Sequence, residues 1–453
     1  MTKTKNMDLT TGPVGRKLFL FFLPIMLGNV LQTLYSAADK VVVGQFAENG
    51  ALALAAVGGT TSAIYLMIGL FNGLAVGANV ICANLMGARK DKELRQAMHT
   101  AVLMAAFCGL GIGLFGFFAC NRILQLMSTP ADVLEPATLY MRIYFLGAPA
   151  SLVYNFGAAV LRSYGDTKRP MYILMVSGLV NVVLNLLLVM GFHMSVDGVA
   201  IATIASQLVS AVWVLWILFN PKDQYGLRVK ELKIHGKPLL DIIRVGVPSG
   251  IGGMVFSISN TLIQSTVNGF DNAALLAGKS VVADITGVMF QVMAAMNAAT
   301  VSFAGQCYGA RKYKRIDQLT LWAMVQVWIL MGVFILLTVV FADFAVGIFN
   351  SDPDVIRYGA LLLYIECPGF VIYIPSEIFL GCNRGMKRAL MPTILNLIGI
   401  CVTRLIWIWA IFPLKPEVWM LFLCYPVSWV ISTILQGAYY FYIRRKIRRA
   451  DPQ

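Results

Sequence analysis

Charge is scarce in this chain. Of its 453 residues only 13% are charged, 58% are hydrophobic, and mean hydropathy is +0.74, whereas soluble globular proteins carry roughly 25% charged residues. So little charge cannot cover a water-soluble surface. The chain therefore reads as an integral membrane protein, and disordered, fibrous and disulfide-scaffold classes are excluded. Histidine is nearly absent, and His99, His193 and His235 all fall in loops or at span ends, which argues against a buried histidine relay. The eight cysteines form no C-x-x-C pair and lie mostly in apolar runs, so neither a zinc site nor a disulfide framework is expected.

A phosphate-cradling G-x-x-x-x-G-K-[ST] loop is also missing. The nearest approach is Gly278-Lys279-Ser280, but Ala273 stands where the first glycine is required, and the segment opens a span on the non-cytoplasmic side. With no soluble nucleotide-binding domain and no expected cofactor, uphill transport by this chain would have to draw on an ion gradient. The polar start, Met1 to Arg16, runs into the first apolar segment without a small-residue cleavage site, so that segment is expected to be a retained first span.

What is present in abundance is apolar sequence. Stretches long enough to cross about 30 Å of hydrocarbon fall near 17–38, 52–84, 97–120, 137–161, 170–192, 196–219, 239–268, 274–306, 319–342, 355–381, 391–413 and 417–442, twelve spans in all. Lys and Arg collect in the N-terminus, the even-numbered loops and the C-terminus. Only Lys40, Arg122, Arg142, Lys279, Arg357, Arg404 and Lys415 of the 36 lie elsewhere. Cytoplasmic loops gather such residues, so both termini are expected in the cytoplasm. The net charge of +14 then follows from topology, and no nucleic-acid partner is expected; the run Arg444 to Arg449 orients the last span.

The chain carries an internal duplication. Gly87-Ala88-Arg89-Lys90 recurs as Gly309-Ala310-Arg311-Lys312, and the same offset of 222 takes Asp132-Val133 to Asp354-Val355, Arg162 to Arg384 and Pro170 to Pro392. Six spans per copy return the chain to its starting side, so the copies share one orientation and are related by a pseudo-twofold axis along the membrane normal. The expected fold is all-α integral membrane: twelve transmembrane helices in two pseudo-twofold-related six-helix bundles around a central cavity. The N-terminal lobe is placed at 1–220, a basic cytoplasmic linker at 221–237 and the C-terminal lobe at 238–453.

Polar residues inside the bilayer are costly, which makes them the functional candidates. Asn29, Gln32, Ser36 and Asp39 fall within about 80° of one another on span one, so that face is polar and cannot look at lipid. Spans five and six repeat the pattern with Ser177, Asn181 and Asn185, and with Thr203, Gln207 and Ser210. Converging, these stripes would surround one carboxylate with neutral oxygens and amides, a setting that suits a proton or a sodium ion at Asp39. Span seven carries Asn260, Gln264 and Asn268 at the same period but no acid. Glu377 is a second candidate, Arg404 is read as neutralising a carboxylate such as Glu366 or Glu377, and Tyr35, Tyr154 and Phe256 are aromatic candidates for lining the substrate cavity.

The sequence resembles the multidrug and toxic compound extrusion family of bacterial antiporters. The matching stretches are Asp39-Lys-Val-Val-Val-Gly44 with Ala55-Ala-Val-Gly58, the duplicated Gly-Ala-Arg, Leu161-Arg-Ser-Tyr-Gly-Asp-Thr-Lys-Arg-Pro170, and Gly198-Val-Ala-Ile-Ala-Thr203. The resemblance implies export of organic, often cationic compounds in exchange for protons or sodium across the bacterial inner membrane. The partners are then a small organic substrate and the lipid bilayer, and the chain is expected to act as a monomer. It further implies ion coupling at Asp39, Asn181, Asn185 and Thr203, although Asn185 replaces a carboxylate the family often carries there. A flippase of a lipid-linked oligosaccharide is the alternative, and its anionic substrate would require several cavity-facing cations. A non-transporting membrane receptor would leave both polar faces without purpose.

Overall fold

The computed structural model describes residues 7–47, 49–127, 129–220 and 226–450. Lys3, Lys5 and residues 221–225 of the expected linker lie outside the described residues. The described chain is helical almost throughout. In order the helices are α1 Val14–Phe46, α2 Gly50–Gly87, α3 Asp91–Leu126, α4 Ala131–Leu146, α5 Ala148–Ser163, α6 Lys168–Leu186 and α7 Val196–Leu218. There follow α8 Gly236–Asn268, α9 Ala273–Gly309, α10 Tyr313–Val340, α11 Ala342–Gly347, α12 Pro353–Gly385, α13 Leu390–Asn396, α14 Thr403–Ile406, α15 Val418–Phe422 and α16 Cys424–Ala450. Among the described residues eleven helices are long and apolar enough to cross a membrane, or twelve when α4 and α5, bent by 48°, are taken as one span. The bend sits at Gly147, just before Pro149. A proline there removes a backbone donor and pushes against the preceding turn.

Compactness divides the chain into two units. One holds Leu23–Ile251 with the short stretch ending at Asp8; the other holds Leu9–Phe22 and the chain from Gly252 onward. The division of α1 therefore falls beside Pro24 and that of α8 three residues beyond Pro248. The second unit claims Leu9–Phe22 through specific bonds. The Arg315 guanidinium donates to the carbonyls of Leu9, Thr11 and Gly12, Gln306 accepts from the Leu9 amide, and Gln326 donates to the Gly15 carbonyl.

In the first unit α2 meets the start of α8 through facing glycines. A Cβ on Gly73 would fall on the backbone of Gly250, and one on Gly77 on that of Ile242 and Gly246. Lipid tails are as apolar as the side chains, so helices in a membrane gain by approaching closely, and small residues four apart allow it. The described part of the linker is tied down on α3, where His99 accepts from the Arg228 amide and Thr100 from that of His235. Phe118 and Trp409, each 75% exposed, belong to apolar faces that only lipid would tolerate.

The repeat is visible in the backbone as well as the letters. After α2 and after α9 the chain closes the helix in the same way: Lys90 donates to Leu85 and Lys312 to Cys307, with Arg89 at φ 55° and Arg311 at φ 57°. The turns after α5 and α12 match in the same manner, with Gly165 at φ 94° and Lys387 at φ 60°, again 222 residues apart. In each, an amide reaches back five residues and the residue before it adopts the left-handed conformation that lets the last carbonyls be capped.

Candidate functional site

In the first unit the polar face of α1 meets that of α6. Asn185 donates from Nδ2 to the Asp39 carboxylate and approaches Asn181 Oδ1 at 3.5 Å. Asn185 is wholly buried and Asn181 nearly so. Asp39 is half-buried and forms no ion pair among the described residues. Asn185 Oδ1 is buried without a hydrogen-bond partner there. Carboxylate and amide oxygens are hard donors of the kind that suit a sodium ion or a shared proton. The close fit depends on Gly178, where any Cβ would strike the ring of Tyr35; the Tyr35 hydroxyl donates to the Met175 carbonyl at 3.3 Å. Immediately beyond Asn185, α6 widens into a π-helical turn at Leu187–Gly191, a distortion that tends to accompany functional sites.

The other expected residues are placed as follows. Gln32 and Ser36 are exposed on α1, and Asn29 is half-buried with its carbonyl accepting from Thr33. Thr203 donates to the Val199 carbonyl of its own helix at 2.9 Å, and no hydrogen bond joins it to Asp39. Tyr154 donates to the Pro170 carbonyl at 3.2 Å, and Gln207 Oε1 is buried beside Gly147 without a hydrogen-bond partner among the described residues. One pair went unread in the sequence: Asn155 of α5 donates to Asn72 of α2 at 3.1 Å. Asn72, the first of three asparagines in the apolar run of span two, was the available signal.

The second unit has a polar site of opposite sign. Arg404 is wholly buried; Nη1 donates to Asn260 Oδ1 at 2.8 Å and Nε to Ser428 Oγ at 3.2 Å. Its guanidinium lies 4.4 Å from the Tyr425 ring centroid and 5.7 Å from that of Phe256. Among the described residues Arg404 makes no direct ion pair with Glu366, Glu377 or any other acid, although it lies within electrostatic reach of Glu366. Glu377 is instead held by Tyr373, whose hydroxyl donates at 2.7 Å, and by Asn297 at 2.9 Å. Tyr373 stands one turn before Glu377, a spacing the sequence offered. Gln264 accepts from Lys279 Nζ at 2.6 Å and donates to Asn268 at 2.9 Å.

Both sites are built from corresponding helices. The offset of 222 takes Thr203 to Tyr425 and Ser206 to Ser428, and puts Arg404 opposite Val182, beside Asn181; aligning Pro24 with Pro248 takes Ser36 to Asn260. Shape is retained between the copies while charge is inverted.

A multi-pass bundle whose polar helix faces hold a half-buried carboxylate and a buried guanidinium, neither in an ion pair among the described residues, has the build of a membrane transporter of small compounds. The MatE family matches residues 24–187 and 248–409, and the chain belongs to it, a family of transporters and not of enzymes. The probable multidrug resistance protein YoeA of Bacillus subtilis (strain 168) is 26% identical over 451 residues, covering 96% of this chain and 95% of that protein. The probable multidrug resistance protein YpnP of the same organism is 28% identical over 407 residues, covering 88% and 89%. A crystal structure of MATE in complex with MaL6 superposes with a TM-score of 0.92 at 22% identity, over 99% of this chain and 100% of that one, a likeness of fold.

Proposed function

We propose that the chain is a secondary active antiporter of the bacterial inner membrane, monomeric, with both termini in the cytoplasm, exporting organic compounds, cationic or amphipathic, in exchange for protons or sodium ions by rocking alternating access. The observation that carries this reading is Asp39: a half-buried carboxylate, hydrogen-bonded to Asn185 and free of any fixed counter-ion among the described residues. A carboxylate already clamped to a base could not exchange its partner. One without such a base binds a cation whenever the field and the local oxygens favour it.

In this scheme Asp39 is ionised while compound is loaded from the cytoplasm. A proton or sodium ion entering from outside neutralises it, and the hydrogen bonding between α1 and α6 rearranges because the carboxylate that Asn185 serves has lost its charge. The rearranged unit releases the compound, and departure of the ion to the cytoplasm resets the cycle. Asn181, Asn185 and Thr203 are assigned to the ion. Asn29, Gln32, Tyr35, Ser36, Tyr154, Gln207, Phe256, Asn260, Gln264 and Glu377 are assigned to the compound.

Proteoliposomes loaded to follow ethidium movement, under a proton gradient alone and a sodium gradient alone, test the scheme. Export is expected under at least one gradient and is expected to be lost in Asp39→Asn, which keeps the shape and removes the charge. An Asp39→Asn protein that exports as well as the parent under both gradients would refute the coupling assignment.

A further inference from the structure

We infer that the second unit carries an anion-recognition site, in which Lys279 and Arg404 receive the carboxylate, or another singly charged anionic group, of an amphipathic organic compound. The inference takes from the proposed function only that the ligand is organic and amphipathic.

The inference rests first on an unspent donor. Arg404 is wholly buried, yet its Nη2 has no hydrogen-bond partner among the described residues, while Nε and Nη1 are bound to neutral oxygens of Ser428 and Asn260. Leaving a buried charged donor unmade is costly, and an anion would satisfy it. Charge balance points the same way. Glu366 is within electrostatic reach of both Lys279 and Arg404, and Glu377 is within reach of Arg384. Among the described residues Lys279 and Arg404 thus share one acid, Glu366, which leaves one positive charge over. A lipid-linked pyrophosphate would need more, so the balance suits a single anionic group.

A route to the buried end is also laid out. Asn268, Gln264 and Asn260 follow one another at four-residue spacing along α8, and cations bond the second and third of them. Lys279, bonded to exposed Gln264, marks the accessible end; Arg404, bonded to half-buried Asn260, marks the buried end. Exposed amides within a span cannot face lipid, so the accessible end faces water. Tyr425 and Phe256, against the guanidinium, provide the apolar walls that the body of an amphipath requires. Finally, Arg404 sits in one α-helical turn between two π-helical stretches, Leu397–Val402 and Trp407–Ile411. The first unit shows one such stretch beside Asn185, and π-helical turns are frequent at functional sites.

The test uses the purified full-length protein in nanodiscs and a matched pair of fluorescent probes, dansylglycine, which carries a carboxylate, and its neutral amide. The parent is expected to bind the acid about tenfold more tightly than the amide, the worth of one charge-assisted contact. Arg404→Gln and Lys279→Gln are each expected to shrink that preference, read as the ratio of the two affinities within each variant, to within about twofold; Arg404→Lys should retain part of it. Equal binding of the two probes by the parent, or an undiminished preference in both glutamine variants, overturns the inference. If Arg404→Gln proves misfolded by its thermal unfolding, Lys279→Gln, at the accessible end, decides alone. Ethidium export in parallel separates the two readings: its failure with the acid preference intact sinks only the antiporter scheme, and the reverse pattern sinks only the anion site.

Discussion

Asp39 and Arg404 are each held by an asparagine on a neighbouring helix, Asn185 in one case and Asn260 in the other. An amide presents a donor and an acceptor from one rigid plane, so it can serve a carboxylate in one copy and a guanidinium in the other without altering the helix that carries it. The small residue that permits the first of these contacts is Gly178. Gly178→Ala would drive Tyr35 off its seat and break its bond to the Met175 carbonyl. Ethidium export is expected to fall in Gly178→Ala, and Tyr35→Ala is expected to fall without falling further when the two are combined. Such non-additivity, an interaction of about 1 kcal/mol or more, is checked by a double-mutant cycle of export rates and thermal midpoints. Additive losses would show that the ring and the glycine act separately. Of the site, the polar stripes and Asp39 were legible in the sequence, because a helix face that avoids lipid shows itself by period alone. The partners of Arg404 were not. Charge suggested an acid, whereas the fold supplied Asn260 and Ser428, both neutral and both on other helices.

At the scale of elements, the twelve apolar stretches all appear as helices, and several, α1, α3 and α16 among them, extend past the apolar core into polar sequence. Hydropathy marks where a helix must be dry; it says nothing about how far the helix continues in water. Nor did it show the bend between α4 and α5, which depends on Gly147 and Pro149. It also missed the close approach of α2 to α8. Gly73→Val is expected to lower stability by about 2 kcal/mol or more, since a larger side chain there has only backbone to meet. Gly253→Ala on α8, with nothing within contact distance, is expected to be neutral or to gain about 0.5–1 kcal/mol from helix propensity. Thermal unfolding in one detergent measures both. A Gly73→Val protein as stable as the parent would mean that the two helices do not depend on this seam.

For the whole molecule, the duplication was legible from four landmarks at one spacing, and it explains why the backbone repeats its turns where the residues differ. The pair Gly165 and Lys387 shows what the letters alone conceal. Lys387→Gly is expected to raise stability by about 0.5–1 kcal/mol, because the left-handed strain on a side chain outweighs the entropy that glycine loses; a lowered thermal midpoint would contradict this. The reverse exchange is barred. A Cβ at Gly165 would run into the backbone of Met7, which passes directly over that turn. The two copies are thus unequal at this position: the later one tolerates a lysine, whereas the earlier one is held to glycine by the chain's own leading segment lying across the corner.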